Sequence, residues 1–204
     1  MSFDVTLARI AELQSVLAPP QARPAAAAAN ANGATFASAL QGTMTAGPAA
    51  STSWNAGGTG AGQALLNAVR GEVGVTEQPP GSNDAPRIAQ YRQATAGSGV
   101  GPWCAYFTSW AAREAGVPLG DAGQGFGRVD DVWAWAERSG KAIPAAGGQP
   151  QPGDLIVWDE HIGVVETVLP DGRVQTIEGN SSDAVTRRVH DASGDGAIGY
   201  VRLG

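Results

Sequence analysis

Hydrophobic positions along the chain fall into three regimes. Phe3, Leu7, Ile10 and Leu17 follow a four-three spacing broken only at Gln14, which predicts an amphipathic helix over residues 3–17, stopped by Pro19 and Pro20. From about 19 to 58 the chain is Ala, Gly, Pro, Ser and Thr, too poor in large side chains to offset the entropy of ordering, and reads as a flexible linker. Its one apolar island is Thr35 to Leu40. Beyond residue 59 the pattern is helical, then extended. Ala64, Leu65, Ala68 and Val69 mark one helical face. A second helix is expected from Ala85 to Ala94, a third from Pro102 to Ala115 with Gly116 as its cap, and a fourth capped by Asp130 or Asp131 and closed by Gly140.

The period then changes. Leu155–Trp158, Ile162–Val168, Val174–Glu178, Val185–Val189 and Ile198–Val201 are β-rich runs separated by turn residues, and Pro170-Asp171-Gly172 is a hairpin signal. Helices followed by a strand meander with no crossover helices predict an α+β fold with an antiparallel, curled sheet of five to six strands. Three segments are therefore expected: an N-terminal helix (1–18), a linker (19–58) and a folded domain (59–204).

Charge sharpens this division. Asp4, Arg9, Glu12 and Arg23 cancel within the first 58 residues, so the net charge of −6 belongs to the folded domain. An acidic domain without a Lys/Arg cluster lacks the cationic surface that nucleic acid and anionic membranes require. No apolar run approaches the roughly 20 residues that span a bilayer, and the N-terminus lacks the pattern of a secretory signal. The 3–17 helix is expected to dock on a protein partner, flagellar or phage, or to self-associate. A single cysteine excludes an internal disulfide, and with two histidines it offers no structural zinc spacing, so no cofactor or metal is expected.

That cysteine, Cys104, falls in the first turn of the third helix. Unpaired N–H groups and the helix dipole favour an anion there, and the thiolate is the reactive form, although a lone cysteine is also a common core residue. A thiol nucleophile needs a base and a group to orient it. Of the two histidines, His161 begins an apolar strand next to Trp158, Asp159 and Glu160, whereas His190 follows two arginines and enters a turn. Glu178 and Asn180, at the end of the next strand, are the candidate partners of His161. A three-residue turn that pairs Leu169 with Arg173 would set His161 opposite Ser181 and turn Glu178 and Asn180 to the wrong face. A β-bulge or a longer turn is therefore expected in this hairpin.

The blocks Pro102-Trp103-Cys104-Ala105-Tyr106-Phe107, Gln151-Pro152-Gly153-Asp154-Leu155, His161 to Glu166 and Ile177-Glu178-Gly179-Asn180-Ser181 resemble the signature blocks of the CHAP family, cysteine-dependent amidases and peptidases of bacterial cell walls with a papain-like core. The resemblance implies Cys104 as nucleophile, His161 as general base and then acid, Glu178 as the orienting group and Asn180 in support. It implies peptidoglycan as substrate. Trp103 and Trp158 flank the site and are candidates either to line a groove for it or to belong to the core, and Asp159 is a candidate either to read an amine of the stem peptide or to be a solvated turn carboxylate. The 3–17 helix and the Phe36 island are similar to N-terminal segments of actinobacterial flagellum-associated wall hydrolases. Flagellar export or a phage origin would bring such a chain to the wall without a signal peptide; otherwise it stays in the cytoplasm. Assembly and wall-binding roles are the alternatives to hydrolysis.

Overall fold

The computed structural model describes residues 58–97 and 99–204. The expected N-terminal helix, the linker and the Thr35–Leu40 island lie outside the described residues. The folded part is α+β, with four helices before a six-stranded antiparallel sheet. The helices are α1 (Gly60–Arg70), α2 (Pro86–Arg92), α3 (Cys104–Glu114) and α4 (Val129–Arg138). The strands are β1 (Ala142–Pro144), β2 (Leu155–Val157), β3 (Ile162–Val168), β4 (Val174–Glu178), β5 (Thr186–His190) and β6 (Gly199–Val201), in the spatial order β1-β6-β2-β3-β4-β5.

Local signals set the helix ends. The Thr59 hydroxyl accepts from the Gly62 amide at 2.9 Å and caps α1, and Pro86 supplies the first turn of α2, where a missing N–H costs nothing. Two expected starts are displaced. Helix α4 begins at Val129 with Arg128 as its cap, so Asp130 and Asp131 lie inside the first turn and meet the helix dipole instead of capping it. Helix α3 begins at Cys104 itself, capped by Trp103, and Pro102 stands before the cap. Gly116 follows the end of α3 with φ +75°, the left-handed geometry that glycine adopts freely.

Helix α3 is the centre of the molecule. Its residues Cys104 to Ala112 are all buried, and it touches α1, α2, α4 and β3. The main core lies between these helices and one face of the sheet, with Leu65, Leu66, Ile88, Phe107, Val132, Leu155, Val164 and Ile177 fully or almost fully buried. Burial of each such side chain stabilises the fold by about 1.5–3 kcal/mol. The other face of the sheet holds a smaller cluster of Ile156, Val165, Val174, Ala197 and Tyr200. No helix among the described residues is long and apolar enough to cross a membrane.

Strand β1, absent from the sequence reading, is a three-residue edge strand ending in proline, and it pairs with β6. Proline is tolerated there because an edge strand has one side without a ladder, where a missing N–H costs no hydrogen bond. The expected turn and bulge are both present. The Leu169 amide donates to the Arg173 carbonyl at 2.8 Å across Pro170-Asp171-Gly172. Between Val165 and Thr167 the β3–β4 register then shifts by one residue at Glu166. Glu166 is 7% exposed, and its carboxylate accepts from Arg70 of α1 (2.9 Å), Arg187 of β5 (2.7 Å) and Gln175 of β4 (3.0 Å).

Candidate active site

The start of α3 is built rigidly. Trp103 is fully buried, its ring lies against Tyr91 at 5.9 Å and Phe107 at 6.4 Å, and its indole N–H donates to Glu77 Oε1 at 2.9 Å. Glu77 Oε2 accepts from the Asn83 amide at 2.7 Å. Trp103 is therefore a core residue that fixes the helix start, the second of its two expected places and not the groove: a fully buried ring has no surface to offer a ligand. Cys104 follows it, with 4% of its surface exposed.

The imidazole comes from the opposite side. The Trp158 amide donates to the His161 carbonyl at 2.8 Å, closing a tight turn over Asp159 and Glu160 that sets His161 at the mouth of β3. The bulge restores the face. Beyond it Val164 pairs with Ile177, which leaves Gly163 across from Glu178. A Cβ on Gly163 would lie 2.6 Å from Glu178 Cγ, so only glycine leaves room for that side chain. Gly179 does the same for α3, since a Cβ there would come within 2.7 Å of Phe107.

Glu178 is 3% exposed and its Oε2 meets His161 Nε2 at 2.9 Å. Cys104 is the other group that stabilises the charged His161 ring. Glu178 takes Nε2, which leaves Nδ1 as the ring nitrogen for the sulfur. Burial alone would lower the His161 pKa, but hydrogen bonds to Cys104 and Glu178, with their negative charges, raise it to about 9. Burial would likewise raise Glu178, yet hydrogen bonds from His161, Thr176 and His190 bring it down to about 2. Both charges are held by the same contacts.

Two residues enter the site unforeseen. Thr176 Oγ1 donates to Glu178 Oε1 at 2.5 Å, and His190 Nε2 meets the same oxygen at 2.7 Å. The expected strand Val185–Val189 consigned His190 to an exposed turn. Strand β5 instead runs through His190, which pairs with Val174 on the face of β4 that carries Thr176 and Glu178. That alternation was the available signal. The two arginines before it are engaged elsewhere, Arg187 with Glu166 and Arg188 with the hydroxyls of Ser181 and Ser182.

Asn180 has φ +57° and makes no side-chain hydrogen bond among the described residues; it borders the cavity beside His161. Trp158 backs both imidazoles, 5.6 Å from His161 and 4.8 Å from His190, and its indole donates to the Gly194 carbonyl at 2.7 Å. The half-buried Trp158 ring is thus engaged with both imidazoles. Asp159 is exposed and lines a cleft of about 450 Å³ with Cys104, Tyr106, Arg128, Asp130 and Glu160. A second hollow of about 480 Å³ lies on the imidazole side, bordered by His161, Glu178, Asn180, Arg188, His190 and Asp195. The thiol borders the first hollow and the imidazole the second.

Residues 95–180 match the family model of the CHAP domain. That stretch is similar to CHAP-domain peptidases and amidases. The match takes in Cys104, His161, Glu178 and Asn180, and it ends before β5. CHAP domains are typically hydrolytic amidases or peptidases that act on peptidoglycan. No curated protein and no solved structure matches the chain.

Proposed function

We propose that this chain hydrolyses an amide bond of peptidoglycan through a cysteine acyl-enzyme, and that the bond is either the N-acetylmuramoyl-L-alanine link or a peptide bond of the stem or cross-bridge. The observation that carries the reading is His161 hydrogen bonded to the buried Glu178 carboxylate at 2.9 Å, with Cys104 at the start of α3 as the other group that stabilises its charge.

Cys104 Sγ attacks the carbonyl carbon as a thiolate. The negative oxygen of the tetrahedral intermediate is met by the Cys104 amide, which as the first N–H of α3 has no partner within its helix. One such donor lowers the barrier by about 3 kcal/mol. The carbon–nitrogen bond then breaks as His161 passes its proton to the departing amine, leaving a thioester and a neutral imidazole. Water adds to the thioester carbonyl and gives a proton to His161. The carbon–sulfur bond breaks, the acid leaves, and the thiolate and imidazolium are restored. Glu178 stays ionised throughout: it keeps Nδ1 aimed at the sulfur and stabilises the charge on the ring. The proposed place of action is accordingly the bacterial cell wall.

The test is mass spectrometry of purified peptidoglycan treated with the full-length protein and with Cys104→Ala. New amino termini, or free lactyl groups, that disappear in Cys104→Ala are expected, and which of the two appears names the bond. Unchanged muropeptides with a folded wild-type protein would overturn the reading.

A further inference from the structure

Glu178 uses both of its oxygens. Oε2 serves His161, while Oε1 is held by Thr176 at 2.5 Å and by His190 Nε2 at 2.7 Å. The far nitrogen of His190, Nδ1, lies 2.8 Å from Asp195 Oδ2. The line through the site therefore continues from Cys104, His161 and Glu178 to His190 and Asp195, and its last two members lie beyond the CHAP match.

The outer end of this line is anchored in a purpose-shaped turn. Asp191 Oδ1 accepts from the Ser193 amide and hydroxyl and from the Asp195 amide, while Asp195 Oδ1 accepts from the Asp191 amide at 3.1 Å. Asp195 adopts φ +52°, which non-glycine residues seldom do. The same turn presents the Gly194 carbonyl to Trp158, whose ring covers both imidazoles. An ionised carboxylate only accepts, so His190 must donate to Glu178, and Asp195 fixes the ring from behind.

We infer that His190, steadied by Asp195, is a positioning residue that locks the Glu178 carboxylate in the rotation that serves His161. Without His190, Oε1 keeps only the Thr176 hydroxyl, which follows the carboxylate as it turns. The Glu178 side chain then swings within the space left by Gly163, and the imidazolium loses its support. The inference rests on the proposed role of His161.

The experiment reads the thiolate–imidazolium pair without any substrate. Full-length proteins are alkylated at Cys104 with iodoacetamide from pH 4 to 10 and followed by mass. The wild type is expected to react faster than His161→Ala on the acid side of the curve, at pH 5.5. His190→Phe keeps the ring over Trp158 but not its hydrogen bonds, and its rate at pH 5.5 should fall about tenfold toward that of His161→Ala. His190→Gln, which retains a donor near Glu178, should recover to within about threefold of the wild type. Asp195→Ala, at a half-exposed turn that leaves the core intact, should shift the curve in the same direction as His190→Phe and keeps the test open if that variant does not fold. Curves for the folded His190 and Asp195 variants that overlay the wild type would overturn the inference while leaving the role of His161 standing. Coincident curves for wild type and His161→Ala would overturn both.

Discussion

The charge on His161 is set by its two neighbours, Cys104 and Glu178, against the cost of burial. A ring whose pKa is raised to about 9 remains an acid over the whole neutral range, which suits a group that must first protonate an amine. The pH profile of kcat/KM should therefore carry a basic limb near 9. Glu178→Gln preserves the shape of the side chain but removes the charge, so that limb should move toward the ordinary histidine value of about 6.5, with activity at neutral pH reduced by about tenfold or more. A limb that stays in place would assign the charge on the ring to the sulfur alone. Trp103 and Trp158 carry the complementary lesson. Both stand beside chemistry in sequence, yet both are spent on holding it.

At the scale of elements, the site depends on what β3 lacks and on the extra residue it contains. The Glu166 bulge turns Glu178 to the face of His161, and Gly163 leaves the space that Glu178 fills. Gly163→Ala is expected to lower kcat about a hundredfold, because the added methyl displaces the carboxylate, while costing about 1–3 kcal/mol of stability. Kinetics beside chemical denaturation checks both, and a variant with wild-type kcat would remove Gly163 from the site. The bulge itself was legible, because a three-residue turn fixed by Pro170 and Gly172 placed the candidate partners on the wrong face unless one residue was taken up in the strand. The β1 strand was not legible: three residues ending in proline carry no period, and they become a strand only because β6 presents an edge. Nor was His190, since its meaning depends on β5 running one residue further than its apolar pattern.

For the molecule as a whole, the charged pair in the site is also a term in folding. Relative to an unfolded chain, the raised pKa of His161 contributes stability that is fully present below about pH 6.5 and is lost as pH rises through about 9. The lowered pKa of Glu178 contributes stability present above its ordinary value near 4.5 and lost as pH falls toward about 2. Denaturant titrations should accordingly show Glu178→Gln destabilised most between about pH 5 and 7, with the difference from wild type shrinking above 9. A difference constant across that range would mean that the pair is not coupled to folding. The α+β class, the order of helices and strands and the Cys104 to Glu178 line were legible because each rests on local periodicity or on a motif. The buried network of Glu77, Trp103 and Asn83 was not, because it joins residues that no pattern relates.

Trp158 has a use beyond support. Its indole lies in contact with both imidazoles, one on each side of the buried carboxylate, and an imidazolium against an aromatic ring interacts with it differently from a neutral imidazole. The emission of this one tryptophan, isolated from the other five by difference against Trp158→Phe, thus becomes an optical indicator of protonation, built into the protein at the place where protonation matters.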